Sequence, residues 1–589
     1  MSLFFFFVLA AHVVHASDLL PQIDVESRSP KDSLSPSTEY RLDEKDIQAT
    51  SLMTAAQALE KLPGVSFAQN GGPGGRVTLF LRGAESRHTL FLMDGMRLND
   101  TSNTDRQFDA GMLLNGGIER INLQLGPASV LYGTDALGGV IELNTRKGGE
   151  KPLSFLQLKA GSFETFQSQL MSDWKGKESQ GTLSFQYLKT SGISRLNKKR
   201  FKAKEKDKAE LIQGLSSSEH KWSESFKTDL LFLANHSQID LDGFGVDTKS
   251  DRSENNQLLV QQRTTYKNKV FFRTGQNTHQ RKVISEASGK ERYEGSDSQQ
   301  EILWKPNRGL LVGSLLTQEK SKVDTDKKAS ELTSFFVSSK NEIYQGVNLA
   351  TGFRSDHHSI FDTFFNWSAA LEFENQNWKS SYQYLTGYKT PSLYQLYAPD
   401  FQGQKVGNKK LRPEENTTHQ FELWYKKNNH QLGLTLFKTS IERLITFTSQ
   451  GYKNQNSFRV EGAILSYQWS WKNVKIIQEM TSQAFSHYQA AILRRPLFMS
   501  TTRLLYYWSE DFWLDINGRT YSSRRDLDLD GKTVKLNGFS VFDLTMNKKI
   551  SPSISADFSV SNLLNRDYEE VYGYSVSPRS YYAGFKKEF

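Results

Sequence analysis

From about residue 151 onward, apolar residues fall at every second position in short runs broken by polar turns, with no convincing amphipathic helix. Thr182-Leu-Ser-Phe-Gln-Tyr187 is the plainest case, and Ser555-Ala-Asp-Phe-Ser-Val560 is a shorter one. A period of two is what a strand shows when its two faces meet different surroundings. Lipid outside and a wet lumen inside would do it, and so would an array of soluble β-sandwiches. The longest apolar run, Leu3 to Ala11, is far short of the roughly 20 residues a membrane helix needs. A helical membrane protein is therefore excluded. A membrane barrel is not, because its strands need only about 9–11 residues and turn only alternate side chains to lipid.

Three further features favour the barrel. The chain ends on an aromatic, Phe589, at the close of the strand-like run that starts at Ser580, the usual finish of bacterial outer-membrane barrels. Trp222, Trp304, Trp378, Trp513 and Tyr582 stand near the ends of alternating runs, as interfacial girdles require. At roughly 20 residues per strand with its share of loops, the last zone holds about 22 strands. So wide a lumen would leak unless plugged. The chain has no cysteine, which rules out a disulfide scaffold, a thiol nucleophile and thiolate metal sites. Its net charge of +9 is modest and spread along the sequence, giving nucleic-acid binding little support. No catalytic motif stands in a suitable context, so an enzyme is not expected.

The fold class expected is an all-β transmembrane barrel of about 22 antiparallel strands with an N-terminal α+β plug in its lumen. Residues 1–16 read as a signal peptide, with an apolar core and Val14-His-Ala16 before Ser17, although no Lys or Arg precedes the core. Residues 17–46 read as a polar periplasmic tether, 47–148 as the glycine-rich plug and 151–589 as the barrel. Within the plug, Ala56 to Leu62 forms a short amphipathic helix stopped by Pro63-Gly64, with a strand from Val65. Asp94-Gly95 between apolar residues signals a tight turn.

The plug phrases come in a specific order. They are Leu62-Pro-Gly-Val65, Arg82-Gly83, Asp94-Gly95, Ile118-Glu-Arg-Ile121, Gly126-Pro-Ala-Ser-Val-Leu-Tyr-Gly133 and Gly138-Gly-Val-Ile141. Together they resemble the plug of TonB-dependent outer-membrane receptors. The resemblance continues in Gly387 to Tyr397, Gly407 to Glu414 and Asn562 to Tyr568. Leu62 to Gly72 and Tyr568 to Tyr574 are most similar to the cobalamin receptors of that family.

The resemblance implies active import across the outer membrane of a Gram-negative bacterium, of cobalamin or another corrinoid first. A ferric-siderophore receptor is the alternative within the class, and a non-transporting surface barrel (adhesin or phage attachment) the alternative outside it. The partners implied are TonB with its inner-membrane energising complex, the corrinoid or siderophore ligand, and outer-membrane lipid and lipopolysaccharide. Ile23, Asp24, Val25, Glu26 and Ser27 stand where the family carries its TonB box, and their extended character suits strand addition by a partner. Asn70, Gly71, Gly72, Gly74, Gly75 and Arg76 form one expected ligand loop, its glycines allowing close backbone approach to a bulky ligand. Asn99, Asp100, Thr101, Ser102 and Asn103 form the other. No cofactor is required. Calcium is the candidate ion, at Asp240, Asp242, Asp247 and Asp251, against which stands the basic run Arg195 to Lys208 just before it. Arg82 is the expected plug anchor. Leu125 replaces an arginine that usually shares that role, so easier plug release is expected.

Overall fold

The period-two runs close on themselves. The structure, a computed structural model, describes residues 39–589 apart from 150–151, 204, 243–244, 287–288, 324–325, 401–402, 456 and 488–491. Twenty-two antiparallel strands, from Ser154–Gly161 to Ser580–Glu588, pair in sequence order, and the last pairs with the first. The Phe589 amide donates to the Ser154 carbonyl at 2.9 Å, finishing the seam. Closure leaves no strand edge unpaired, which lipid demands.

In the run quoted above, Leu183 and Phe185 are exposed to the outside, whereas Thr182, Ser184 and Gln186 are buried against the lumen contents. Trp222, Trp304 and Trp378 are exposed beside the short turns, as a girdle requires. Two girdle expectations need correction. Tyr582 is buried, and Trp513 shares the inward parity of the buried Asp515. Aromatic type alone does not give parity. One end of the barrel carries tight turns such as 224–225, 308–309 and 472–473, and the other carries long connections such as 191–208, 390–413 and 562–579. The short-turn end is periplasmic and the loop end extracellular.

The lumen is filled by strands β1 (Glu39–Asp43), β2 (Val65–Gln69), β3 (Val77–Leu81), β4 (Thr89–Met93), β5 (Met96–Arg97), β6 (Ile118–Leu125) and β7 (Gly139–Thr145), with short helices α1 (Glu44–Gln48), α2 (Ala55–Leu59) and α3 (Ser129–Tyr132). Five of these strands form a sheet in the order β1-β6-β7-β4-β5, in which only β4 and β7 run parallel, while β2 and β3 pair as a separate hairpin. Asp94 and Gly95 take φ of 46° and 89°, the left-handed pair that a two-residue hairpin turn needs. The described end of the expected tether is folded. Glu39–Asp43 pairs with β6 along its whole length, so the plug begins before 47. Tyr40 and Leu42 are buried on one face of that strand, an alternation too short to stand out in sequence. The expected signal peptide and Ile23–Ser27 lie outside the described residues.

The sheet spans the lumen. Phe67, Phe91, Ile121, Leu123 and Ile141 are buried in one apolar cluster that continues into the wall at Leu231, Leu259, Phe437 and Ile464. Each such side chain, fully buried, contributes about 1.5–3 kcal/mol.

Candidate functional site

At the extracellular end the two expected ligand loops meet a concave wall. A recess of about 370 Å³ is lined by Gly74, Arg76, Asp100 and Asn103 from the plug, and by strands Phe226–Asp240, Arg252–Tyr266, Val270–Ser285 and Gly289–Asn307 from the barrel. The barrel side is a ladder of neutral amides. Asn235 donates to Gln257 at 3.0 Å, Gln257 to Asn277 at 3.1 Å, and Asn277 to the Arg97 carbonyl at 3.0 Å. Asn235 lines the recess, and its Oδ1 is buried with no hydrogen-bond partner among the described residues. Phe108 and Met112 add apolar surface, and Arg281 lies 4.7 Å over the Tyr293 ring. The guanidiniums of Arg76 and Arg281 are opposed by Asp100, Asp109 and Glu291. The recess is therefore mainly apolar, with neutral amides and balanced rather than excess charge.

The other expected ligand residues are placed differently. A Cβ on Gly71 would sit 2.7 Å from Arg195, and one on Gly74 would sit 2.4 Å from the Ala209 Cβ. The glycines thus bring the loop against the barrel wall, and of these two Gly74 also lines the recess. Arg195 secures the loop by donating to Asn70 O at 3.1 Å and to Asp240 O at 2.7 Å. Gly72 abuts Ile193, and a Cβ on Gly75 would strike the Asn70 carbonyl at 2.2 Å. Asn99 is buried and braces its loop, accepting from Phe91 N and donating to the Thr89 and Arg106 carbonyls. Thr101 packs on Gly295, and Ser102 donates to Asp100 at 2.6 Å. Burial alone would raise the Asp100 pKa, but His279, Arg281 and the Ser102 hydrogen bonds hold it below the ordinary range. Asn235, Asn255, Gln257, Arg281 and Tyr293 were not singled out in the sequence. Polar residues recur at inward positions on other strands too, such as Gln167, Gln169 and Gln186, so nothing local marks these five.

The carboxylate cluster differs from the expected set. Glu205, Asp242 and Asp247 bring ligand oxygens within 4.8 Å of one another. Asp240 instead accepts from Lys208 N at 3.1 Å, and Asp251 accepts from Ser285 and Glu286 N at 3.0 and 2.7 Å. Those two carboxylates are spent on closing their own loop ends. Glu205 Oε1, Asp207 Oδ1 and Asp242 Oδ2 are buried without hydrogen-bond partners among the described residues. Burial, with Asp207, Asp247 and Glu205 nearby, pushes Asp242 up to about 7. Such a crowd of hard oxygens fits calcium, which takes about 6–8 of them. Glu205 and Asp207 were hidden inside the basic run. Three of the exposed cations of that run are engaged elsewhere: Arg200 forks onto Glu569 at 2.7 Å, Lys199 pairs with Asp567, and Lys206 meets Glu164 at 3.0 Å.

Ion pairs fix the plug to the wall. Arg503 donates to Asp46 of α1 at 2.6 Å and to Asp515 at 2.7 Å, and Lys61 stands 3.5 Å from Asp515. Against the effect of burial, Arg503 and Lys61 hold the Asp46 carboxyl below its ordinary range. Arg519 meets Glu60 at 2.6 Å, and Glu414 takes both Arg87 at 3.0 Å and His88 at 2.7 Å. Asp135 binds Lys389 and lies 3.2 Å from Arg106, which reaches Glu319 at 2.7 Å. Arg82 contacts the wall without a direct carboxylate pair among the described residues. It donates to Gln420 at 2.5 Å and lies 4.7 Å over Phe437, and burial lowers its pKa to about 10. Leu125 is fully buried in the apolar cluster.

The family model for the TonB-dependent receptor plug domain matches residues 31–140, and that for the TonB-dependent receptor-like β-barrel matches residues 161–563. A vitamin B12 transporter, BtuB, of Photobacterium profundum is 23% identical over 590 residues, spanning 92% of this chain and 90% of that protein. Among solved structures, the siderophore receptor PirA of Acinetobacter baumannii superposes with a TM-score of 0.81 at 15% identity, covering 95% of this chain and 99% of that one. A mutant of the ferric enterobactin receptor PfeA of Pseudomonas aeruginosa gives 0.80 at 16% identity, covering 96% and 100%.

Proposed function

The chain belongs to the TonB-dependent receptors, and from that premise we propose that it imports a large, amide-bearing ligand, cobalamin or another corrinoid, across the outer membrane. The observation that carries the ligand reading is the recess chemistry. Neutral amides from Asn235, Asn255 and Gln257, apolar Phe108 and Met112, and opposed rather than excess charge suit the amide-fringed, weakly charged rim of a corrin. A multiply anionic iron chelate would call for unopposed cations. The similarity to a vitamin B12 transporter adds modest support.

Calcium fits the same reading. Glu205, Asp207, Asp242 and Asp247 would hold it, cancelling the mutual repulsion of their carboxylates and holding the two loops that carry them together. TonB would grip Ile23–Ser27 by strand addition and supply the work. Lipid and lipopolysaccharide surround the barrel.

A siderophore reading draws on one feature of the rim. Lys328 and Lys409 both lie 5.5 Å over the Tyr397 ring, a pairing that suits an anionic aromatic chelate. Equilibrium binding to detergent-refolded protein separates the two. The corrinoid reading expects submicromolar cyanocobalamin binding, strengthened by calcium, and ferric enterobactin weaker by about 100-fold or more, a gap of roughly 2.7 kcal/mol. The reverse order would transfer the assignment to siderophores.

A further inference from the structure

A second recess lies below the first along the same sector of wall. It encloses about 330 Å³ among Asp94, Lys147, Lys227, Arg263 and Arg273, and Lys227 sits two residues from the periplasmic turn 224–225. On strand Arg252–Tyr266 the upper recess takes Gln257 and the lower takes Arg263. Only Leu259 and Gln261 face inward between them, because inward residues recur every second position. On strand Val270–Ser285 the upper recess takes His279 and the lower Arg273, with Gly275 and Asn277 between.

What separates the recesses is the plug hairpin Met93 to Leu98, whose β5 is the two-residue edge of the sheet. It is seated by two barrel amides, Gln261 donating to Asp94 O at 3.2 Å and Asn277 to Arg97 O at 3.0 Å. The fit is close. A Cβ on Gly275 would lie 3.1 Å from Met96 Sδ, and one on Gly95 would lie 2.1 Å from Arg273. Around the lumen, the seam beside Val541, Asp543 and Ser577 encloses only about 110 Å³, and Arg519 lines it where it pairs with Glu60 at 2.6 Å.

We propose that the transported molecule crosses along the wall formed by strands Phe226–Asp240, Arg252–Tyr266, Val270–Ser285 and Gly289–Asn307, and that the Met93–Leu98 hairpin is the gate, with Gln261 and Asn277 as its clasps. The amide ladder that starts in the upper recess runs from Gln257 to Asn277 below it, so the last link of the ladder is also the donor that holds the gate. When the hairpin leaves, Asn277 and Gln261 lose backbone carbonyls and can donate to carbonyls of the passing ligand. The exchange keeps their hydrogen bonds made throughout. This inference rests on the transporter reading but not on the corrinoid one.

The test uses the full chain, which has no native cysteine to confuse labelling. Met96→Ala/Gln261→Ala/Asn277→Ala removes the side chains that fill and hold the septum. In planar bilayers the folded triple variant is expected to pass a steady ion current where the parent protein stays closed. A bulky thiol adduct on Lys227→Cys in that background should abolish the current, and the same adduct on Ser577→Cys should not. A folded triple variant that stays closed, or a current blocked only from Ser577, overturns the proposal. A second arm avoids the triple variant. In the otherwise native chain, the Lys227→Cys adduct should lower cyanocobalamin import at least tenfold with surface binding held within twofold, and undiminished import contradicts the gate. If the parent protein does not bind cyanocobalamin, the corrinoid reading falls, and the current still decides the gate.

Discussion

The two edges of the plug sheet are held by different chemistry. At the β1 edge the plug is bolted by charge: Asp46 to Arg503, with Asp515 and Lys61 completing the group. At the β5 edge the hairpin is held to the wall by neutral amides donating to backbone carbonyls. Removing one partner of a buried ion pair costs about 3–5 kcal/mol, because the other charge is left stranded. An amide hydrogen bond contributes about 0.5–1.5 kcal/mol. The described chain begins at the bolted edge, with Glu39, and the recesses stack at the other, so in the proposed transport force and passage would fall on opposite sides of one sheet. Of these two wall contacts the weaker lies beside the proposed route.

The largest break in this contrast is Arg503→Ala. It strands Asp46 and Asp515, and plug unfolding measured in denaturant or under force should fall by about 3–5 kcal/mol. An unchanged plug would remove the bolt from the account.

Glu60 gives a pH test of the same side. Burial, with Glu570 and Asp543 nearby, raises it to about 7 despite Arg519, whereas an unfolded glutamate titrates near about 4.3. The folded plug therefore holds the extra proton between these values, and its stability should decline as pH rises from about 4.3 to 7 and then level off. Glu60→Gln should flatten that slope, and a slope that survives the substitution assigns it to other groups.

Next comes calcium. At about a hundredfold excess over Kd, roughly 2.7 kcal/mol of added stability is expected, read as protection of 205–208 and 241–251 from proteolysis. Asp242→Asn should lose most of it, while Asp251→Asn, whose carboxylate is spent on Ser285 and Glu286, should keep it. Equal effects would return Asp251 to the site. The smallest effect belongs to Asn277→Ala, about 1 kcal/mol of plug stability, with faster amide exchange confined to 93–98. Exchange that quickens equally at 44–62 would erase the distinction between the edges.

The barrel was legible because lipid imposes a period of two on residues such as Leu183 and Phe185, and the plug because its turns need glycines at fixed places. Strand count and the Asp94-Gly95 hairpin followed from such local rules. The site was legible only in part. Gly74, Arg76, Asp100 and Asn103 line the recess, but Asn99 braces its own loop and Gly71 meets Arg195. No local pattern says whether a polar loop residue faces a ligand or its neighbour. The bolts were invisible, since Asp46 and Arg503 lie 457 positions apart and nothing near either one names the other. Glu205 was masked by the lysines around it.

The most direct test of the account is labelled cyanocobalamin uptake by cells carrying the full chain or a chain lacking residues 21–28. Energised import predicts that the deletion stops uptake while binding at the cell surface persists. Uptake indifferent to the deletion would contradict coupling through that segment, and binding without uptake in both would point to a surface barrel that transports nothing.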